Sequence, residues 1–147
     1  SGFLRAHKQP MRKHEMIYVF YKKTGTFNPQ MTVGEPYTRT RDESKKSTSN
    51  YNAMKRSSTN DGTRFPISII ETERGNYKSK HPTQKPLDIL EWIVKSYSNE
   101  GETVLDFTMG SGSCGVACKS LNRDFIGIEL DKKYFDVAVE RINNDSV

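Results

Sequence analysis

In this 147-residue sequence the residue types and spacing able to do chemistry converge on one short stretch. Asp106 stands four residues ahead of Gly110-Ser111-Gly112-Ser113-Cys114-Gly115, and Glu129 closes the next apolar run. The glycine run fits the spacing G-x-G-x-x-G, whose glycines let the backbone approach a ligand closely. A helix starting there favours negative charge at its N-terminus, so the run by itself suggests a dinucleotide. The two acids point elsewhere. A carboxylate at Asp106 would repel a pyrophosphate and suits a cationic amino group. An acid at the end of the following strand can accept hydrogen bonds from both hydroxyls of a ribose. An ammonium, a glycine turn and a ribose together describe S-adenosylmethionine. The plainer alternative makes Asp106 a local cap and Glu129 an ordinary surface acid.

The surrounding elements must place these groups. Thr103 to Phe107 and Phe125 to Glu129 read as strands, with residues 110–115 as a turn into a helix that runs through about Leu121. Pro86 is suited to the first position of a helix with Leu87, Leu90, Val94 and Tyr97 on one face, which Asn99-Glu100-Gly101 stops. A last helix over Lys132 to Ile142 sets Phe135, Val139 and Ile142 on its apolar side. This alternation predicts an α/β layer with parallel strands. With 18 residues after Glu129, the further strands of such a sheet are expected upstream. Met16 to Tyr21 reads as a buried strand, and Phe65 to Ile70 as a short edge strand because Pro66 cannot donate to a central ladder. Residues 38–64 hold almost no aliphatic side chains and no clear period, so they read as a long loop with a turn at Asn60-Asp61-Gly62.

Charge divides the chain. Residues 1–86 carry 17 Lys and Arg against 7 Asp and Glu, whereas residues 87–147 carry 6 against 11. A net +10 followed by −5 suggests a first half that faces a polyanion, the bland alternative being a basic solvated surface. No stretch approaches the roughly 18 apolar residues of a membrane span. Two cysteines four residues apart argue against a disulfide scaffold and for a reducing, cytoplasmic location. Cys114 and Cys118 read as buried thiols rather than metal ligands, so no metal is expected.

His81-Pro82-Thr83-Gln84-Lys85-Pro86, the run VLDFTMGSGS at 104–113 and Phe125-Ile126-Gly127-Ile128-Glu129 together resemble the beta-class amino-group DNA methyltransferases. The order of the three motifs is specific in a way that a lone glycine loop is not. The resemblance implies part of a Rossmann-like methyltransferase sheet, of α/β class, with an irregular basic insertion. It implies three regions: a core segment with a strand over 1–25, a target-recognition region over 26–80, and the cofactor-binding part of the core over 81–147. By this resemblance Asp106, Phe107, Thr108, Gly110, Ser111 and Gly112 hold the methionine part of S-adenosylmethionine. Glu129 takes the ribose, and Thr83 and Lys85 lie near the methionine carboxylate. Where the family more often has Pro-Phe after the aspartate, this chain has Phe107-Thr108. Arg39, Arg41, Lys45, Lys46, Lys55, Arg56 and Arg64 fall where the family meets double-stranded DNA.

The family's catalytic motif, a polar residue followed by Pro-Pro and an aromatic, has no counterpart here; Glu35-Pro36-Tyr37 is the nearest string and reads as a loop. The motif is therefore expected upstream of residue 1, in an N-terminal catalytic half on the same or a separate chain. The function expected is methyl transfer to an exocyclic amine of a flipped base, adenine N6 before cytosine N4. The rivals are a non-catalytic DNA-binding module with a Rossmann-like half and a fragment of a nicotinamide-dependent oxidoreductase. The expected result with the purified chain and labelled cofactor is no methyl transfer to DNA, and measurable transfer would overturn that expectation.

Overall fold

The computed structural model describes residues 14–41, 56–72 and 84–144. Its elements run β1 (Thr32–Val33), β2 (Tyr37–Arg41), β3 (Arg56–Asn60), β4 (Thr63–Arg64), α1 (Leu87–Tyr97), β5 (Thr103–Asp106), α2 (Ser113–Ser120), β6 (Asp124–Gly127) and α3 (Lys132–Asn144). β5 and β6 pair in parallel, Thr103 opposite Asp124 and Asp106 opposite Gly127, with α2 as the crossover. This is the α/β arrangement that the alternating pattern predicts. No helix among the described residues is long and apolar enough to cross a membrane.

The middle of this unit is α2, whose sequence SCGVACKS is made largely of small residues. Small side chains let α1, α3 and both strands approach it, and Val116, Ala117 and Cys118 are buried among them. A Cβ on Gly115 would sit 2.4 Å from Ile142 Cδ1 and 2.7 Å from Phe125 Cε1, so the glycine lets these side chains of α3 and β6 close on the helix as they are placed. The same constraint selects the packed face of α3. Ala138 is fully buried against α2 and Ile142 packs inward as expected, whereas Phe135 and Val139, also expected inward, are exposed. The inward face is thus turned one residue round from Phe135 and Val139, because a bulky side chain does not fit at position 138 opposite Gly112.

Among the described residues, only one face of the β5–β6 pair is covered. Leu105, Phe107, Ile126, Ile128 and Leu130, which alternate along the two strands, are each more than half exposed. Cys118 is buried and Cys114 half-buried, as expected of structural thiols. A hydrogen bond with Cys118 and burial together hold the Cys114 thiol above its ordinary value, which keeps it protonated.

Three expectations are corrected in the first half. Met16–Tyr21 is exposed and forms no strand, since no strand among the described residues lies beside it to take its backbone groups. Phe65–Ile70 is likewise not a strand. The stretch read as a long loop instead opens and closes with an antiparallel ladder. β2 pairs with β3 from Tyr37–Asn60 to Arg41–Arg56, and β1 pairs with β4 behind it. Threonine and serine fill these strands, and their polarity on both faces is why no apolar period marks them. The turn at 60–62 is present: Gly62 has φ of 101°, and Asn60 Oδ1 accepts from its N–H at 2.9 Å.

A side chain outside the α/β unit finishes α1. The last carbonyls of a helix lack intrahelical donors. Asn28 N–H donates to Ser96 O at 2.7 Å, while its Nδ2 donates to Lys95 O at 3.2 Å and Ser98 O at 3.1 Å. Arg123, just before β6, donates through Nη2 to Ser98 O at 2.9 Å. The Phe27 ring lies 5.6 Å from that of Tyr97. Asn28 therefore anchors the strand pairs that follow it to the end of α1. Asn28→Ala is expected to lower the unfolding free energy by about 1–2 kcal/mol, read by urea denaturation. Ser96→Ala is the contrast, since the buried Ser96 Oγ has no hydrogen-bond partner among the described residues; its expected effect is neutral or slightly stabilising.

Candidate cofactor site

The carboxyl ends of β5 and β6 meet at the glycine turn through a continuous set of hydrogen bonds. Ile128 N–H donates to Asp106 O at 2.9 Å, extending the parallel ladder past the last paired residues. Met109 N–H then donates back to Ile128 O at 3.0 Å. One residue further on, Gly110 N–H donates to Glu129 Oε2 at 2.9 Å. The other oxygen, Oε1, accepts from Asp131 N–H at 2.9 Å. A carboxylate oxygen carries two lone pairs, so both oxygens keep acceptor capacity toward a ligand. The hydrogen bonds from Asp131 and Gly110 favour the ionised form and hold Glu129 below its ordinary value of 4.5.

Asp106 ends β5 half-buried. Its Oδ1 accepts from Thr108 N–H at 3.0 Å, shaping the first step of the turn, and Oδ2 has no partner among the described residues. The turn continues through two left-handed residues, Gly110 at φ 54° and Gly112 at φ 77°. Gly112 also precedes the first turn of α2, and a Cβ there would lie 2.9 Å from Ala138 Cβ and 3.0 Å from Ala138 Cα. Both backbone conformation and space thus exclude a side chain. A Cβ on Gly127 would fall 2.2 Å from Met109 Sδ, so a larger residue there requires the methionine side chain to move.

The structure brings together Asp106, Thr108, Gly110, Ser111, Gly112 and Glu129 around this turn. Phe107 follows β5 with its ring exposed. Gln84 joins them, its Oε1 accepting from Ser111 Oγ at 3.4 Å. Lys85, expected beside the cofactor, instead pairs with Glu15 at 2.6 Å, both side chains being exposed. Thr83 lies outside the described residues. Of the residues expected at DNA, Arg39 is exposed on β2, and Arg41 and Arg56 stand opposite each other at the end of the β2–β3 ladder. Arg64 serves the turn region: it donates to Asn60 Oδ1 at 2.6 Å and Glu35 O at 2.8 Å and lies 5.0 Å over the Tyr37 ring. Lys45, Lys46 and Lys55 lie outside the described residues.

Sequence reading missed Arg141. Its Nη1 donates to Ser111 O at 3.1 Å and to Ser113 Oγ at 2.9 Å across 28–30 residues. The available signal was a charged residue one turn after Ala138, on the face of α3 that the glycines select.

An acid at the end of each of two adjacent parallel strands, with a left-handed glycine turn between them, is an arrangement in which α/β proteins receive ligands at the carboxyl edge of the sheet. A family model described as DNA methylase, of the N6/N4 type, matches residues 1–140, and the chain belongs to this family. It is 40% identical over 84 residues to the type II methyltransferase M.HpaI of Haemophilus parainfluenzae, a match covering 54% of this chain and 27% of that protein. It is 38% identical over 106 residues to the type II methyltransferase M2.LlaDCHI of Lactococcus lactis subsp. cremoris, covering 70% and 39% respectively. A crystal structure of M1.HpyAVI in complex with SAM shares 47% identity at a TM-score of 0.46, over 52% of this chain and 37% of that one. The chain thus spans well under half the length of each of these relatives.

The depressed Glu129 makes a pH prediction. A carboxylate lowered on folding contributes stability above its unfolded value and loses it as pH falls through the folded one. The expected result in an NMR titration is a Glu129 midpoint below 4.5, with the Gly110 amide shifting at the same midpoint. A midpoint at or above 4.5, or a Gly110 amide that does not follow it, contradicts the hydrogen-bonded link.

Proposed function

We propose that this chain is the cofactor-binding and target-recognition portion of a DNA methyltransferase that uses S-adenosylmethionine. The observation that carries this reading is the pair of acids across the glycine turn. Asp106 presents Oδ2, unpartnered among the described residues, at the carboxyl end of β5. Glu129 presents an ionised carboxylate at the end of β6. The first fits an ammonium and the second a pair of ribose hydroxyls, and the tight turn lets a ligand lie against the backbone between them. A pyrophosphate would meet two negative charges there.

When bound, S-adenosylmethionine supplies an electrophilic methyl group for an exocyclic amine, adenine N6 before cytosine N4. This chain's residues bind and orient. Asp106 fixes the ammonium, Glu129 the ribose, and the glycine turn the methionine chain between them. The family resemblance assigns Thr83 and Lys85 to the methionine carboxylate, for which Lys85 would leave its surface pair with Glu15. An exposed ion pair is worth only about 0–1 kcal/mol, so this exchange is inexpensive. Arg39, Arg41, Lys45, Lys46, Lys55 and Arg56 supply cations toward double-stranded DNA. Arg64 supports the turn at 60–62 that carries the insertion. The groups that act on the target amine belong to an upstream catalytic half, in the same chain or a separate one.

Calorimetric titration with S-adenosylhomocysteine tests the assignment. Saturable binding is expected, with Asp106→Ala weakening it at least about tenfold, as for loss of one charge-assisted hydrogen bond. Equal binding by wild type and variant removes Asp106 from the site. Absence of binding by chain shown to be folded sinks the reading that the pocket lies within this chain.

A further inference from the structure

Three groups lie outside the acids and the turn just described: the polar cleft beside Asn28 and Arg123, the open apolar face of β5–β6, and the contact of α3 with the glycine turn. In the cleft, of about 440 Å³, Arg123 is already bound to the carbonyls that end α1 and α2, which accounts for its charge. The open face is continuous with the sheet itself. The α3 contact carries an inference.

We propose that Arg141 is a positioning residue for cofactor binding: from α3 it holds the glycine turn in the shape that receives the methionine end of the ligand. This rests on the reading of the turn as an S-adenosylmethionine site. Arg141 Nη1 spans the turn, donating to Ser111 O at 3.1 Å, Ser111 Oγ at 3.3 Å and Ser113 Oγ at 2.9 Å. The residue bracketed by these contacts is Gly112, in the left-handed conformation at φ 77°. Ser111 and Ser113 are 3% and 7% exposed, so their polar atoms depend on protein partners.

The location is otherwise unfavourable for a cation. Arg141 sits at the N-terminus of α2, where the helix dipole is positive and favours anions. Gly112 offers α2 no side-chain cap. An arginine there is explained by the carbonyl and hydroxyls of the turn, which it joins into one unit. Ala138 and Ile142, on the same face of α3, press on Gly112 from behind, at 2.9 Å and 3.1 Å from where its Cβ would stand. α3 therefore fixes the turn by contact and by hydrogen bonding, and Arg141 supplies the directional part.

Two ligands separate a positioning role from a general structural one. S-adenosylhomocysteine uses both the glycine turn and Glu129, whereas adenosine lacks the methionine end and depends on Glu129 alone. In calorimetric titrations of the full 147-residue chain, Arg141→Lys is expected to weaken S-adenosylhomocysteine about tenfold and adenosine less than about twofold. Lysine keeps the charge, but its ammonium sits on a stem of different length and lacks the planar guanidinium that holds Nη1 against Ser111 and Ser113. Ser113→Ala, which removes the 2.9 Å acceptor, should produce a smaller loss with the same ligand preference, and the double variant should be less than additive. Should Arg141→Lys fail to fold by circular dichroism, the Ser113→Ala comparison decides. Equal losses for the two ligands, or no loss for either, overturn the proposal while leaving the cofactor site standing. Wild-type chain that is folded and binds neither ligand overturns the cofactor reading, and the role of Arg141 with it.

Discussion

The backbone N–H groups that leave the end of β5 have to find acceptors outside their own strand, and β6 provides them. Met109 donates to the Ile128 carbonyl and Gly110 to the Glu129 carboxylate, while Ile128 returns a bond to Asp106. Buried donors of this kind are costly to leave unpaired. Satisfying them fixes the distance between the two strand ends, and with it the relation of Asp106 to Glu129. Glu129 is thus a structural acceptor that joins the end of β6 to the turn. The same bonds that hold the turn keep its carboxylate ionised.

Around this link the packing is governed by small residues. Gly112, Gly115 and Gly127 remove the Cβ atoms that would hold α3, Phe125 and Met109 away from the turn. Ala138 is then the side chain that fits opposite Gly112, and Arg141 and Ile142 follow on the same helical face. The order of causes runs from glycine positions to helix rotation to the groups that support the site. A larger residue at any of these glycines would act on the site through α3 or β6 rather than through the ligand.

The unit is one-sided. β5 and β6 carry apolar residues on both faces, as strands of a doubly covered parallel sheet do, yet among the described residues α2 covers one face and the other is open. The strand pairs β1–β4 and β2–β3 are tied to this unit through Asn28 at the end of α1 rather than through the sheet. Their polar strands bury little and depend on turn geometry at 60–62 and on Arg64 for their shape.

By itself the sequence marked the residues of the candidate site and the elements from 86 onward. The acids and glycines occur at spacings that only a strand–turn–helix–strand unit can exploit, and the helices carry regular apolar periods. Those are local properties, written in neighbouring residues. Tertiary structure decided the rest. Serine- and threonine-rich β2 and β3 became strands only by pairing across an intervening segment, whereas apolar Met16–Tyr21 has no strand beside it among the described residues. The rotation of α3, the reach of Arg141 to Ser111 and Ser113, and the capture of α1 by Asn28 each depend on groups distant in the sequence, the last two 28 or more residues apart. Local periodicity cannot rank such contacts, because their energies exist only once the elements have met.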